Sequence, residues 1–347
     1  MSNAPDSPSP ARPQVSGLRY RIVAVLVVAI LGVVAATGIV CVSRRARTSA
    51  VIARSSVIVP GDIGELRISR DFGTTALAVK NVHVPPSATA MSLLAANAKV
   101  QTAYGGGFVN SIDGLASGYT GGAGVRTDWF YFVNGIEADR GAADYALHGA
   151  DREWWDYHRW DFTPTVPAVV GQFPQPFESG AGSTLSTIVL YGGGFDAQAR
   201  AIVSDLARAG VMHASAAPLE QNGTLSARRH AILVGTWQQV SAIRAIAEDI
   251  AHPASSGLFA GFESRQLVTL DSEGGRVATD APAGLVLATA NAEKPDAAIW
   301  LVTGGEPQDV RAAAALLSAG APELQGRFGV VVLRNGSTIA LPTRPIH

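Results

Sequence analysis

The chain has 347 residues and a formal net charge of −1, from 27 Lys and Arg against 28 Asp and Glu. This length allows two domains and a tail. The balanced charge excludes the strongly basic surface typical of nucleic-acid-binding proteins, so we predict no nucleic-acid partner. The single cysteine, Cys41, excludes an intrachain disulfide and a thiolate metal site.

The N-terminal part of the chain predicts a membrane anchor. Residues 1–21 are rich in Pro and Ser and predict a disordered cytoplasmic tail. Residues 22–42 carry no charged side chain and are long enough to cross a bilayer as one helix. Arg residues bracket this run closely, which favours a transmembrane helix over a buried core helix. Residues 43–63 predict a basic stalk.

A cleaved signal peptide is the alternative interpretation of residues 22–42. The apolar region of a signal peptide is normally about 7 to 15 residues long, which is shorter than this run. We therefore predict an uncleaved, single-pass anchor. One more Arg follows the run than precedes it, so the positive-inside rule slightly favours a cytoplasmic C-terminal portion.

The first predicted domain, residues 64–161, is organised around an aromatic strand. Trp129–Val133 consists of aromatic and β-branched residues that favour strands, and the Asn134-Gly135 pair that follows predicts a tight turn. Arg152–His158 predicts the partner strand. Along this aromatic strand, Trp129, Tyr131 and Val133 share one face, while Phe130 and Phe132 share the other.

The order of elements in this domain predicts an α+β β-grasp fold, in which a small mixed sheet folds over one helix. Two strands come first, then a capped helix, then further strands. The elements upstream of the aromatic strand are Glu65–Ser69, Leu77–Val84 and the helix Ala90–Ala98.

Several short motifs in this region occur together in a known family. They are Pro85 to Leu94, Gly107-Phe108-Val109 with Ser111-Ile112 and Gly114, Trp129 to Gly135, and Gly149-Ala150-Asp151 before Trp154. With these motifs, residues 64–160 resemble the transcobalamin-like C-terminal domain family, whose bacterial members are described as a domain of unknown function.

The resemblance implies a β-grasp that is exported and often anchored at the bacterial cell surface. In vertebrate relatives this domain caps one face of cobalamin, so cobalamin becomes a candidate bound ligand and an uptake transporter a candidate partner. The helical barrel that accompanies the domain in those relatives is absent from this sequence. On the strength of the resemblance we expect the soluble body to be extracytoplasmic, against the slight charge bias.

Four aromatic residues are candidates for a ligand-binding face: Tyr104, Phe108, Trp129 and Tyr131. A planar ligand would use exposed aromatic surface with few polar anchors. Plain packing is the alternative, because one face of the aromatic strand has to cover the helix. Both interpretations stay open at this stage.

The sequence contains no motif for catalysis. A nucleophile elbow, a Walker loop and a zinc-binding helix motif are all missing, and Gly192-Gly193-Gly194 lacks the Lys of a phosphate loop. His148, Asp151 and His158 do not have a recognised metal-ligand spacing. We predict that the protein is not an enzyme and has no catalytic residues, no metal and no cofactor.

Residues 162–183 are rich in Pro and Gly and predict a semi-extended linker. Residues 184–347 then predict an α/β domain, because apolar strands alternate with helices. Any ligand of such a domain is expected at the carboxyl ends of its strands. Those ends are Gly192–Asp196, Gly235–Trp237 and Thr303–Glu306.

Together these features predict a membrane-anchored, extracytoplasmic protein that binds a ligand or partner, with uptake of cobalamin or a related cofactor as a candidate role. The alternative is a structural or polysaccharide-contacting protein of the cell envelope without a small-molecule ligand. Exposed aromatic residues in a concave site around Tyr104 and Trp129 would favour binding. A flat polar surface there would favour the alternative.

Overall fold

The computed structural model describes residues 63–120, 124–178, 185–220, 225–317 and 321–345. The predicted tail, the predicted transmembrane helix at residues 22–42 and all but the last residue of the predicted stalk lie outside the described residues. Within the described ranges, no helix is both long and apolar enough to cross a membrane.

Strands are the main regular secondary structure of the described chain, and they form four sheets. In chain order the strands are β1 (Ile63–Arg70), β2 (Thr75–His83), β3 (Val100–Ala103), β4 (Phe108–Ile112), β5 (Leu115–Ala116), β6 (Thr127–Val133), β7 (Ile136–Glu137), β8 (Arg152–Arg159), β9 (Ser186–Tyr191), β10 (Ala214–Pro218), β11 (Arg229–Thr236), β12 (Ala260–Glu263), β13 (Gln266–Leu270), β14 (Arg276–Thr279), β15 (Ala283–Asn291), β16 (Lys294–Gly304), β17 (Gly329–Leu333) and β18 (Thr338–Leu341). The helices are α1 (Ala90–Asn97), α2 (Asp196–Arg208), α3 (Trp237–Ser241), α4 (Arg244–Ala251), α5 (Pro253–Ser256) and α6 (Pro307–Ala315).

The aromatic strand lies in a five-stranded sheet of order β2-β1-β8-β6-β7. Strand β1 runs antiparallel to β2 and parallel to β8. Strand β6 pairs antiparallel with β8, with Phe132 opposite Trp154, so the predicted pairing of these two strands is confirmed. Asn134 and Gly135 have φ of 53° and 79°, which is the left-handed conformation that a two-residue hairpin turn needs.

One face of the five-stranded sheet is covered by α1. Thr89 caps this helix through a capping box with Ser92. Leu93 and Leu94 of the helix are buried in one cluster with Leu66 and Trp155 of the sheet. The aromatic strand therefore packs on the helix through the face that carries Trp129, Tyr131 and Val133.

The seven-stranded sheet has the order β10-β9-β11-β16-β15-β17-β18. Strands β10, β9, β11 and β16 are parallel to one another, whereas β15, β17 and β18 pair antiparallel. Only Ala292 and Glu293 separate β15 from β16. A parallel pair needs a crossover of about a dozen residues or more, so this short turn forces antiparallel pairing.

The predicted fold class, an α+β β-grasp domain and an α/β domain after one transmembrane helix, is therefore wrong. The described chain is mostly β-sheet with few helices, and the longest of the described helices, α2, has 13 residues. Two causes stand out in the C-terminal part. Its apolar strands include an antiparallel hairpin, β15–β16, and the helical stretch between β11 and β12 is divided into the short helices α3, α4 and α5.

The two large sheets share one hydrophobic core. Phe132 and Trp154 of the five-stranded sheet are buried in a cluster with Leu233 and Leu285 of the seven-stranded sheet. The opposite face of the seven-stranded sheet is covered by α2 and α6. The face of the five-stranded sheet that α1 leaves uncovered packs on the face of the seven-stranded sheet that α2 and α6 leave uncovered. The described residues therefore form stacked layers rather than separate bodies.

The segment predicted as a linker is packed into these layers as far as residue 178, where its description ends. Val166 and Val169 join the cluster between the sheets, while Phe173 and Phe177 join the cluster under α2. The Gln172 side chain accepts a hydrogen bond from the Gly135 backbone N–H at 2.7 Å. This part of the chain fastens the sheets together instead of spacing them apart.

Glu153 on β8 is a buried carboxyl group in the α1 side of the core. The Trp155 indole N–H donates to its Oε1 at 2.5 Å, and its Oε2 has no hydrogen-bond partner in the described part of the chain. Burial raises the pKa of Glu153 to about 8. The folded protein therefore carries a protonated Glu153 at neutral pH.

We expect Phe132→Ala to lower the free energy of unfolding by about 3 to 5 kcal/mol. Phe132 is fully buried, and its ring lies 5.7 Å from that of Trp154 and 5.4 Å from that of Phe328. Truncation would leave a cavity between the two sheets. Chemical denaturation measures the change, and Tyr104→Ala, which removes an exposed ring, is the control. A loss below about 1 kcal/mol for Phe132→Ala would contradict this packing.

We also expect the stability of the protein to fall as pH rises from about 5 to 8 because of Glu153. The unfolded chain releases this proton near its ordinary pKa of about 4.3, whereas the folded chain holds it up to a pKa of about 8. The contribution of protonated Glu153 to the free energy of unfolding is thus complete below its pKa in the unfolded chain. It is lost as the pH rises toward its pKa in the folded chain.

The Glu153→Gln variant mimics the protonated carboxyl and keeps an acceptor for Trp155. Its free energy of unfolding should change less between about pH 5 and 8 than that of the wild type. Denaturation curves at several pH values make the comparison, with the exposed Glu220→Gln as matched control. An unaltered pH slope in Glu153→Gln would show that this carboxyl is ionised in the folded state.

Candidate functional site

The four aromatic residues predicted as a ligand face fall into two separate pairs. Trp129 and Tyr131 are only 6% and 9% exposed. The Trp129 indole N–H donates to the Leu115 carbonyl at 3.0 Å, and the Tyr131 hydroxyl donates to the Arg140 carbonyl at 2.6 Å. The Tyr131 ring also stacks on Trp155 at 4.7 Å. Core packing therefore occupies both side chains.

Tyr104 and Phe108 lie instead at an exposed turn. Tyr104 is 80% exposed and has a φ of 50°, and it begins a single turn of 3-10 helix, Tyr104–Gly106. The Phe108 ring meets it edge-on at 6.1 Å. The turn offers a small aromatic surface, but it does not combine with Trp129 and Tyr131 into one concave site.

A buried polar network lies between the two large sheets, centred on Asp156. Its carboxylate accepts hydrogen bonds from the Ser69 hydroxyl at 2.5 Å and from the backbone N–H groups of Phe72 and Gly73 at 3.0 and 2.8 Å. The His158 Nδ1 lies 2.8 Å from Asp156 Oδ1. The Trp154 indole donates to the Ser69 hydroxyl at 2.7 Å.

This network contains the residue types of a catalytic triad, but they are not arranged as in a triad. The Ser69 hydroxyl donates to the aspartate rather than to the imidazole, so no base activates it. The His158 ring is sandwiched between Phe72 and Phe130 at 4.3 and 4.4 Å. Ser69, Asp156 and His158 are all buried, which leaves a substrate no access.

The metal hypothesis for His148, Asp151 and His158 is likewise not supported by their placement. The His148 Nδ1 lies 3.7 Å from Asp151 Oδ2, whereas His158 belongs to the Asp156 network. Among the described residues, no group of three or more His, Cys, Asp or Glu side chains is arranged to hold a metal ion.

A cleft of about 390 Å³ opens between the loop that precedes β8 and the start of the seven-stranded sheet. We call it the main cleft. One wall comes from residues 133–151, and the other comes from Gln175 and Pro176, Leu185, His230 and the turn into β16. Its charged or ionisable lining residues are Glu137, Asp139, Arg140, Asp144, Tyr145, His148, Asp151, His230, Lys294 and Asp296.

Hydrogen bonds fix the first wall of the main cleft. The Asp151 carboxylate accepts from the His148 backbone N–H at 2.7 Å and from the Asn134 side-chain amide at 2.8 Å. Asn134 in turn accepts from the Arg152 backbone N–H at 2.9 Å. Burial raises the pKa of Asp151 above its ordinary value. The turn after β6 and the residues before β8 therefore hold each other in place.

The cations of the main cleft are already balanced by carboxylates. Arg140 pairs with Asp139 at 2.7 Å and lies over the Tyr145 ring at 5.6 Å. Lys294 pairs with Asp296 at 2.9 Å. Burial lowers the pKa of His230 to about 4, so its imidazole is neutral at neutral pH. The lining thus carries more negative than positive charge.

A second cleft of about 520 Å³ adjoins the first, and we call it the side cleft. Ile136, Glu137, Asp139 and Pro295 line both, so the two clefts are adjacent, and we refer to them together as the groove. Glu137 accepts hydrogen bonds from the Thr165 hydroxyl and, at 2.9 Å, from the Val166 backbone N–H. Burial raises the pKa of Glu137, and it raises the pKa of Asp249 in the side cleft to about 6.

The groove lies at the opposite end of the parallel strands from the end that the sequence favours. Leu185 precedes β9, His230 lies at the start of β11, and Lys294 begins β16. At the carboxyl end of β9, the Gln239 side chain fills the space beside Gly192: a Cβ added to this glycine would lie 2.5 Å from Gln239 Oε1. The strand ends at which the sequence predicts a ligand therefore do not coincide with this groove, and that prediction stays a prediction.

Sequence reasoning missed the groove because its walls are distant along the chain. Residues 137–151 meet residues 294–296, and each stretch alone resembles an ordinary polar turn. The available signal was the long connection from Glu137 to Leu147 between two paired strands. Connections of this length are often functional.

Comparison with known proteins finds one family model that matches the chain. Residues 87–159 match the family described as a domain of unknown function (DUF4430). No curated protein matches the chain. The matched residues include α1, β6 and β8, and so one wall of the main cleft. The chain therefore contains, at residues 87–159, a domain of this family of unknown function.

Proposed function

We propose that this protein binds a small molecule without transforming it, and that the groove holds a neutral or positively charged ligand. The observation that carries the proposal is the groove itself. Two fixed walls from distant parts of the chain converge on carboxylates that outnumber the cations beside them.

The size and lining of the groove suit a small ligand. Small-molecule sites commonly have volumes of about 300 to 1,000 Å³, and the two clefts measure about 390 and 520 Å³. Apolar surface comes from Ile136, Pro176 and Pro295, while the Tyr145 hydroxyl and the carboxylates provide hydrogen-bonding groups. Burial raises the pKa of Tyr145 to about 12, so its hydroxyl stays a donor at neutral pH.

The charge of the groove selects against anions. A phosphate or carboxylate ligand would face Asp144, Asp151 and Glu137, while Arg140 and Lys294 are already paired. Like charges at close range cost free energy that a neutral or cationic ligand avoids. Hydroxyl, amide and ammonium donors match the acceptors that the groove offers.

The arrangement of the reactive groups supports the proposal of binding rather than catalysis. The one Ser–Asp–His combination described above is buried between the sheets and has no route for substrate. The carboxylates of the groove accept hydrogen bonds from neighbouring backbone and side-chain groups, which positions them as fixed acceptors. We also propose that the soluble part of the protein that binds the ligand is extracytoplasmic, on the basis of the family resemblance.

A second candidate site is the exposed turn at Tyr104 and Phe108. Its aromatic surface suits a planar ligand, and it lies in the region that resembles the cobalamin-capping family. This observation supports cobalamin, or a related cofactor whose uptake the protein would assist, as a ligand of that turn. A structural or polysaccharide-contacting envelope protein, which needs no small-molecule ligand, is the competing interpretation.

We expect charge-dependent binding of small probes to the full chain. Isothermal titration with maltotriose (neutral), spermidine (cationic) and ATP (anionic) should show saturable one-to-one binding of maltotriose or spermidine, and none of ATP. Asp296→Asn, in the main cleft, should weaken that binding about fivefold or more, which corresponds to roughly 1 kcal/mol.

Glu220→Gln is the matched control for this experiment, because it removes an exposed carboxylate outside the groove. Its affinity should stay within about twofold of the wild type. Three results would each overturn the groove as the ligand site. They are binding of ATP, an affinity that Asp296→Asn does not change, and the absence of binding by both maltotriose and spermidine.

Equilibrium dialysis with cobalamin and cobinamide tests the second candidate. If the exposed turn binds the corrin ring, Tyr104→Ala should weaken binding about tenfold, because it removes the exposed half of the aromatic pair. Tyr119→Ala, which also removes a largely exposed tyrosine ring, is the matched control and should have no effect. Absence of saturable binding would remove cobalamin as a ligand, and an equal effect of both variants would remove the turn as its site.

A further inference from the structure

The side cleft differs from the main cleft in the charges that line it. Its carboxylates are Glu137, Asp139 and Asp249, and its described lining contains no Lys, Arg or His. Asp139 is paired with Arg140, which leaves Glu137 and Asp249 without a cationic partner in the lining. His252, whose interaction with Asp249 lowers the pKa of that carboxyl, lies outside the lining.

The position of Asp249 makes its negative charge costly. It lies in the last turn of α4, which ends at Ala251, where the carbonyl end of a helix disfavours an anion. Glu248, the preceding residue, adds a further negative charge. The Ser256 hydroxyl donates to the Asp249 backbone carbonyl at 2.8 Å, which fixes the segment but does not contact the carboxylate. A bound cation would relieve this cost.

An independent feature of the side cleft is the side chain of Thr289. Thr289 is 1% exposed and continues the face of β15 that carries Leu285 and Leu287. It lines the side cleft, and its hydroxyl takes part in none of the side-chain hydrogen bonds among the described residues and is not one of their fully enclosed, unpartnered atoms. The hydroxyl therefore keeps accessible surface at the wall of the cleft, where it can bond to a ligand.

We propose that the side cleft is the subsite for an alkylammonium group of the ligand. The carboxylates of Glu137 and Asp249 balance the charge, and the Thr289 hydroxyl accepts a hydrogen bond from one ammonium N–H. This inference rests on the proposed function, because it assigns one end of the same groove.

The residues that the two clefts share suit the rest of such a ligand. Ile136 and Pro295 line both clefts and provide apolar surface for a methylene chain. An amine at the end of a short chain reaches the side cleft, while a polar group at the other end stays in the main cleft. The ligand class is therefore an amine-bearing chain rather than a compact sugar or an anion.

The test compares 1,4-diaminobutane with 1,4-butanediol, which has the same chain and no charge. We expect the diamine to bind the full chain with one-to-one stoichiometry in isothermal titration, and the diol to bind at least about tenfold more weakly. Asp249→Asn should weaken diamine binding about tenfold or more and leave the diol unaffected.

Glu248→Gln is the matched control, since it removes the adjacent, exposed carboxylate of the same helix without touching the cleft. It should change diamine affinity by less than about twofold. Thr289→Val preserves shape and removes only the hydroxyl, so it should weaken the diamine about threefold or more. Thermal unfolding of each variant checks that it is folded. If Asp249→Asn does not fold, the effect of Thr289→Val on diamine affinity decides the test.

The outcomes separate this inference from the proposed function. No diamine binding, equal binding of the diol, or equal effects of Asp249→Asn and Glu248→Gln would overturn the ammonium subsite. If maltotriose still binds and responds to Asp296→Asn, the groove remains the ligand site and only the subsite fails. If no probe responds to Asp296→Asn, the proposed function fails as well.

Discussion

The buried carboxylate of Asp156 is the interaction on which the arrangement of the two large sheets depends. A charge removed from water needs several hydrogen bonds, and Asp156 receives them from Ser69 and from the backbone of Phe72 and Gly73. These contacts hold the turn after β1, where Phe72 has a φ of 55°. Held in that turn, the Phe72 ring meets Phe259 and Phe328 of the C-terminal part.

We call the hydrogen bonds of Asp156, together with the contacts of the Phe72 ring, the Asp156 joint. The groove lies between the parts of the chain that this joint holds together. One of its walls extends from the hairpin between β6 and β7 to the start of β8, and the other belongs to the start of the seven-stranded sheet. Residues 163–178 contribute side chains to both hydrophobic clusters, so the segment beside the groove is anchored in the core. A negatively charged groove that is formed before the ligand arrives would bind it without a large rearrangement.

Local features of the fold were predictable from the sequence, whereas features made by distant residues were not. The aromatic strand, its turn at Asn134-Gly135 and its partner at Arg152–His158 follow from propensity and periodicity, and all three are confirmed. The antiparallel hairpin β15–β16 was not predicted, because a run of apolar residues does not indicate whether a strand pairs parallel or antiparallel with its neighbour. The burial of Glu153 and Asp156 and the meeting of residues 137–151 with 294–296 depend on tertiary contacts that no local pattern encodes.

Native-state hydrogen exchange with increasing denaturant tests most directly whether the two sheets form one cooperative unit. The core amides of β8 and of β11 should exchange through the same global opening, with equal free energies and equal denaturant dependence. That result would mean that the Asp156 joint keeps both groove walls fixed until the protein unfolds. If β8 opened at a much lower free energy while β11 stayed protected, the sheets would separate independently, and the groove between them would not be a preformed site.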